Sequence, residues 1–259
     1  MEVIIVPGPN DVAVLAADIV ARLIQQRPDA VLGLATGSSP LGLYAELARR
    51  AATTLDTTRV SGFALDEYVG LDPAHPQSYA SVIRTQVTEP LGLDPARVQV
   101  PPGDATDLER SCAEFEQAIR EAGGVDLQIL GLGGNGHIGF NEPTSSFSSR
   151  TRIKTLAPAT RRDNARFFPA PDDVPTHCVT QGLGTIMDAT TVLLLAAGPA
   201  KADALAKAVE GPVAALCPAS ILQHHRRAIV LVDEEAAAGL ALADYYRYAY
   251  ANKPEWQRS

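Results

Sequence analysis

The stretch Gly131-Leu132-Gly133-Gly134-Asn135-Gly136-His137-Ile138-Gly139-Phe140-Asn141-Glu142-Pro143 puts one histidine and one glutamate on a glycine-rich loop, directly after the apolar run Leu127–Leu132. Glycine lets a backbone approach a ligand closely. An imidazole changes charge near neutral pH, and a carboxylate within reach can orient it, with Asn135 adding a hydrogen bond. The residue types suit proton transfer; the alternative is a structural histidine in a turn. Gly131, Gly133 and Gly136 also satisfy G-x-G-x-x-G after a strand. The dinucleotide fingerprint further needs a helix opening at the third glycine and an acid about 20 residues on. The chain instead continues Ile-Gly-Phe-Asn-Glu-Pro and later Arg152-Ile153-Lys154-Thr155. A nicotinamide or flavin cofactor is therefore not expected.

Other segments carry complementary chemistry. Thr36-Gly37-Ser38-Ser39-Pro40 joins hydroxyls, a flexible backbone and a helix start, which suits a phosphate dianion or simply a serine-capped helix. Asp66-Glu67 follows an apolar run, so one acid could serve as a partly desolvated base, or both could be solvated loop residues. Arg166 and Lys201 offer cations for a phosphate, though a lone surface cation is the usual reading. Ser145, Ser146, Arg152 and Lys154 form a second polar and basic cluster. The five histidines have no metal-ligand spacing.

The elements that must position these groups alternate. Strands are expected at Val3–Val6, Ala30–Ala35, Val60–Leu65, Leu127–Leu132, Thr191–Ala197 and Ala228–Val232. Helices are expected after an Asn10 or Asp11 cap, over Leu41–Ala52 with Ser39 as cap, and over Leu108–Ala122, Pro199–Val209 and Glu235–Tyr250. Such alternation predicts an α/β fold: an open, mainly parallel, Rossmann-like sheet with helices on both faces, as one domain over residues 1–259. Ligands of open parallel sheets bind outside the carboxyl ends of the strands. The segments at Thr36, Asp66, Gly133 and Gly198 each follow a strand and are candidates to converge there.

Composition narrows the partners. With 259 residues and 46% hydrophobic content the chain can bury a large core, and its net charge of −8 argues against nucleic acid or an anionic membrane. It still permits a small anion held by local cations and amides. Cys112, Cys178 and Cys217 form no C-x-x-C pair and read as reduced thiols. No signal-peptide pattern or membrane-length apolar run is seen, so a cytoplasmic location is expected.

The order of Thr36–Pro40, Leu65-Asp66-Glu67-Tyr68-Val69-Gly70-Leu71, Gly133–Pro143 and Ser149-Arg150-Thr151-Arg152-Ile153-Lys154-Thr155-Leu156 resembles the glucosamine-6-phosphate deaminases. The resemblance covers almost the whole chain, including Thr180–Ala189 and the Lys201 region. The run after His137 separates it from the related 6-phosphogluconolactonases, which share the sheet and phosphate loop. A non-catalytic sugar-phosphate sensor would bring a DNA-binding helix pair, and no spare basic segment is there for one.

The resemblance implies conversion of D-glucosamine 6-phosphate and water to D-fructose 6-phosphate and ammonia, without metal or organic cofactor. Asp66 would shuttle a proton between C2 and C1, and His137 would assist ring opening with Asn135 and Glu142 orienting it. Thr36, Gly37, Ser38, Ser39, Arg166 and Lys201 would hold the phosphate. Some members are hexamers activated by N-acetylglucosamine 6-phosphate, and Ser145, Ser146, Arg152, Lys154 and Thr155 match their effector motif. A homo-oligomer and that effector are expectations of the same kind. Many members carry aspartate where this chain has Asn135. An amide orients the imidazole without adding negative charge, so the imidazolium is stabilised less. Asn135→Asp is expected to raise the apparent pKa of the ring-opening step; a pH–rate profile that does not move would reject this.

Overall fold

The computed structural model describes residues 1–254 and residue 257. The chain opens with β1 (Glu2–Val6), α1 (Pro9–Gln26), β2 (Val31–Leu34), α2 (Leu41–Ala51) and β3 (Ser61–Ala64). It continues through β4 (Asp66–Tyr68), α3 (Tyr79–Ile83), α4 (Glu89–Leu91), β5 (Val98–Gln99), α5 (Leu108–Glu121) and β6 (Leu127–Gly131). The second half holds β7 (Arg152–Thr155), α6 (Pro158–Asn164), β8 (His177–Thr180), α7 (Leu183–Met187) and β9 (Thr191–Ala196). It ends with α8 (Ala202–Val209), β10 (Ala228–Asp233) and α9 (Ala243–Ala251).

Seven strands form one sheet in the order β1-β10-β9-β6-β2-β3-β5, and every pairing is parallel. Every residue of β2 and β9 is buried. Side chains alternate between faces along a strand, so both faces of the sheet must be covered. The expected α/β architecture is present. From β2 the chain moves to β3 on one side, and from β6 it moves on to β9 on the other. Neighbouring strands whose connections leave in opposite directions open a crevice at their carboxyl ends. That crevice lies between β2 and β6.

A second, three-stranded antiparallel sheet, β4-β8-β7, has no counterpart in the sequence pattern. Its strands read Asp-Glu-Tyr, His-Cys-Val-Thr and Arg-Ile-Lys-Thr, too short and too polar for apolar periodicity to mark them. The chain passes from one sheet to the other at a single residue. Leu65 donates its N–H to Leu34 O (2.9 Å) and accepts from the Gln181 N–H (2.7 Å), so Asp66 begins β4 where the sheets meet. A separate apolar cluster of Tyr68, Phe140, Leu156, Phe168, Val174 and Cys178 fills in beside the small sheet.

Several helix ends differ from expectation. Gly8, rather than Asn10 or Asp11, is the N-cap of α1, because Pro9 is already set for a first helical position. Pro40 rather than Ser39 is the N-cap of α2, and no side chain caps it. The segment from Pro199 is a 3-10 turn through Lys201 before α8 begins. The expected C-terminal helix breaks after a 3-10 turn at Ala236–Gly239 and restarts at Ala243. Glu210 accounts for the restart, since its carboxylate accepts the N–H groups of Ala241 (2.8 Å) and Leu242 (2.9 Å). No described helix is long and apolar enough to cross a membrane.

The buried Tyr44 hydroxyl of α2 closes the end of β2. It accepts the Ala35 N–H (3.1 Å) and donates to the Ala35 carbonyl (2.9 Å). Tyr44→Phe leaves both backbone groups unpaired in the core and is expected to lower the unfolding free energy by about 1–3 kcal/mol. A urea midpoint equal to that of the wild type would show that Ala35 finds other partners.

Candidate active site

The loops at Lys201, His137, Thr36 and Asp66 follow β9, β6, β2 and β3, which are consecutive in the sheet. The sheet order therefore brings together all four segments. The β2 and β6 ends touch, since a Cβ on Gly131 would lie 3.4 Å from the Ser39 side chain. In the β2 loop Gly37 takes φ +86°, a conformation that favours glycine. Gly37 and Ser38 are exposed, with Thr36 and Ser39 half-buried. With no side-chain cap on α2, its first amides are left free to meet an anion.

The two adjacent acids have separate fates, because neighbouring side chains of a strand point to opposite faces. Glu67 accepts N–H groups from Tyr68 (2.8 Å), Tyr79 (2.9 Å) and Ala80 (2.8 Å), so it holds the start of α3. Asp66 lies on the other side, buried near Gly139. A Cβ on Gly139 would lie 3.5 Å from Asp66 Oδ2 and 3.1 Å from Thr180 Oγ1. Burial, aided by the Glu67 charge and opposed by a bond from the Phe140 amide, pushes the Asp66 carboxyl up to about 8. A carboxyl tuned so high can both take and return a proton near neutrality.

His137, Asn135 and Glu142 form one relay. The Asn135 amide donates to Glu142 Oε2 (2.8 Å), and its oxygen lies 2.7 Å from His137 Nδ1. Glu142 Oε1 accepts the Ala157 N–H (3.0 Å). The carboxylate can only accept, which fixes the amide NH2 toward Glu142 and its oxygen toward the imidazole. Nδ1 must then carry a proton, leaving Nε2 as the basic atom of the neutral ring. The imidazole lies directly on Gly133, where a Cβ would come within 2.3 Å of Nε2. Burial and the Lys201 charge hold the imidazole below its usual range, against the opposing carboxylates of Glu142 and Asp163.

Lys201 donates from Nζ to the Leu132 carbonyl (2.7 Å), at the base of the histidine loop. Burial lowers its pKa, with Asp163 opposing and Arg166 adding to the fall. Arg166 is exposed on the 3-10 turn after α6, its guanidinium over the Phe167 ring. A cavity of about 220 Å³ opens beside Gly37 and Ser38, walled by Tyr68, Tyr79 and Phe168.

The five residues expected to hold an effector are less gathered. Arg152, Lys154 and Thr155 lie on β7. Ser146 is exposed and pairs with Ser148, while the Ser145 hydroxyl is buried without a partner among the described residues. Arg152 reaches inward to Asn141 Oδ1 (2.9 Å), and the Asn141 amide in turn bonds Ile138 O (3.0 Å) on the histidine loop. Sequence reasoning missed Tyr79, a partly buried wall of the cavity beside Gly37 whose hydroxyl reaches the Tyr68 hydroxyl (3.3 Å). It also missed Thr180, which accepts the Phe140 N–H (3.1 Å), and Asp163. No local pattern marks these residues, because each acts across a fold contact.

Residues 10–231 match the family of glucosamine-6-phosphate isomerases and 6-phosphogluconolactonases, and this chain belongs to that family. It is 60% identical over 257 residues, 99% of each chain, to a protein of Pseudarthrobacter chlorophenolicus named glucosamine-6-phosphate deaminase. A solved structure of a monomeric glucosamine-6-phosphate deaminase is similar at TM-score 0.90 and 42% identity, covering 92% of this chain and 100% of that one. A 6-phosphogluconolactonase from Thermotoga maritima shares the fold, at TM-score 0.69 and 19% identity over 90% of this chain and 99% of that one.

The buried Asp66 makes stability depend on pH. Unfolded, its carboxyl is ionised above about pH 4; folded, it keeps the proton up to about pH 8. Folding takes up a proton across that window, so this group's contribution to stability falls as pH rises through it. Asp66→Asn removes the dependence. The variant is expected to gain on the wild type by roughly 1 kcal/mol or more between about pH 5 and pH 8. Parallel denaturation curves for the two proteins at both pH values would contradict the raised pKa.

Proposed function

We propose that this chain converts D-glucosamine 6-phosphate and water to D-fructose 6-phosphate and ammonia, a step of amino-sugar catabolism. The observation that carries the reading is the placement of two proton-transfer groups, Asp66 and His137, on either side of an uncapped helix start at the switch point of the sheet. The 60% identical relative named for this activity supports it.

In this mechanism Thr36, Gly37, Ser38, Ser39, Arg166 and Lys201 hold the phosphate and so orient the sugar. His137 Nε2 takes the O1 proton of the cyclic sugar and returns a proton to the ring oxygen, opening the ring. Asn135 and Glu142 keep the imidazole in the required tautomer. Asp66 removes the C2 proton as the C1–C2 double bond forms and the substrate's ammonium gives one of its protons to O1; Asp66 then delivers its proton to C1 as a carbon–nitrogen double bond forms at C2. Water adds at C2 and ammonia leaves, which balances the reaction. Each step is acid–base chemistry, which these side chains supply.

We extend the reading to an effector. The basic strand β7, the unpartnered Ser145 hydroxyl and the path from Arg152 through Asn141 to the histidine loop support N-acetylglucosamine 6-phosphate as an activator. One experiment addresses both claims: ammonia release from glucosamine 6-phosphate by wild type and Asp66→Asn, with and without that effector. Wild type is expected to release ammonia and fructose 6-phosphate, with the variant slower by about 10²–10⁴-fold. The effector is expected to lower the half-saturating substrate concentration. Superimposable curves would remove the effector, and a folded wild type silent in both arms would sink the deaminase reading.

A further inference from the structure

We propose that the Lys201 charge holds down the basicity of His137, and that a phosphate dianion seated against Lys201 turns the imidazole into a stronger base. The phosphate would then do more than anchor the sugar: its arrival would prepare the group that opens the ring. The proposal rests on the reading of Lys201 as a phosphate contact.

One peptide unit lies between the Lys201 ammonium and the His137 backbone. The Leu132 carbonyl accepts from Lys201 Nζ (2.7 Å), while the N–H of the same peptide, on Gly133, donates to the His137 carbonyl (2.9 Å). The imidazole rests on the Gly133 Cα, with Cε1 and Nε2 each 2.3 Å from where a Cβ would stand. The ammonium thus holds the peptide that leads into the Gly133 α-carbon on which the ring rests. Neither side chain is open to much water, so their charges are poorly screened.

The charges around the ring pull in both directions. Glu142 Oε2 lies 3.8 Å from Nδ1, and Asp163 also favours the imidazolium, while Lys201 disfavours it. Arg166 and Asp163 in turn act on Lys201. Because Asn135 Oδ1 is an acceptor, Nδ1 keeps its proton in both states of the ring. The titration is therefore confined to Nε2, on the Gly133 side. A cation beside it opposes protonation; a dianion placed on that cation reverses the local field and favours protonation. A sugar lacking the phosphate would meet a weaker base even when seated.

The test is an NMR titration of the full chain carrying ¹³C-labelled histidine, with the His137 signal identified by its loss in His137→Gln. Saturating inorganic phosphate is expected to raise the His137 midpoint by about one pH unit. Lys201→Gln should raise it without phosphate, and Lys201→Arg, which keeps the charge, should leave it low. Natively folded Lys201→Gln titrating together with the wild type would overturn the proposal. A rise in Lys201→Gln with no phosphate effect in the wild type would overturn the phosphate switch and the reading of Lys201 as a phosphate contact. The titration needs no turnover, so a failed ammonia assay beside a positive titration would count against the reaction and not against this coupling.

Discussion

The two hydrogen bonds of Leu65 are the constraint on which the site depends. Its N–H continues the parallel ladder onto β2 and its carbonyl accepts from Gln181 at the end of β8. One residue is thereby shared between two sheets of different direction, and the next residue, Asp66, has no freedom to leave their junction. A buried backbone group without a partner would be costly, so the junction is held by the requirement that both groups be paired. The Gln181 side chain adds a third tie, donating to Ala64 O (3.0 Å).

From that junction the electrostatics follow. Asp66 sits where water is excluded and where no cation is paired with it among the described ion pairs, so its neutral form is favoured. Glu67, one residue on, is also buried but is met by three backbone N–H groups that support its charge. Two carboxylates adjacent in sequence are thus given different surroundings by geometry alone: one is buried with its neutral form favoured, and the other holds a helix start.

The histidine loop obeys a different constraint, that of close approach. The imidazole occupies the space a side chain on Gly133 would take, and Gly136 has no room for one beside Cys217, whose sulfur would be 2.6 Å away. Glycine at these positions lets the loop fold back on itself over the end of β6. The relay through Asn135 to Glu142 then sets the tautomer, while burial and the Lys201 charge together make the other nitrogen harder to protonate.

Much of this was legible before folding. β2, β3, β6, β9 and β10 are short apolar runs because they are buried on both faces, and that burial is written in residue type. Asn135, His137 and Glu142 stand out because their chemistry and the flexibility of glycine are properties of the residues themselves. The small antiparallel sheet was not legible. Its contacts join Asp66 to Thr180 and Arg152 to Thr180, and the Gln181–Ala64 bond spans 117 positions. No local periodicity reports such pairings. By itself the sequence determined the kind of chemistry available and the strands that carry it. Only the tertiary structure decided which of the two acids is met by three backbone N–H groups, which imidazole nitrogen is free and how strongly each group holds its proton, because desolvation and charge act through space rather than along the chain.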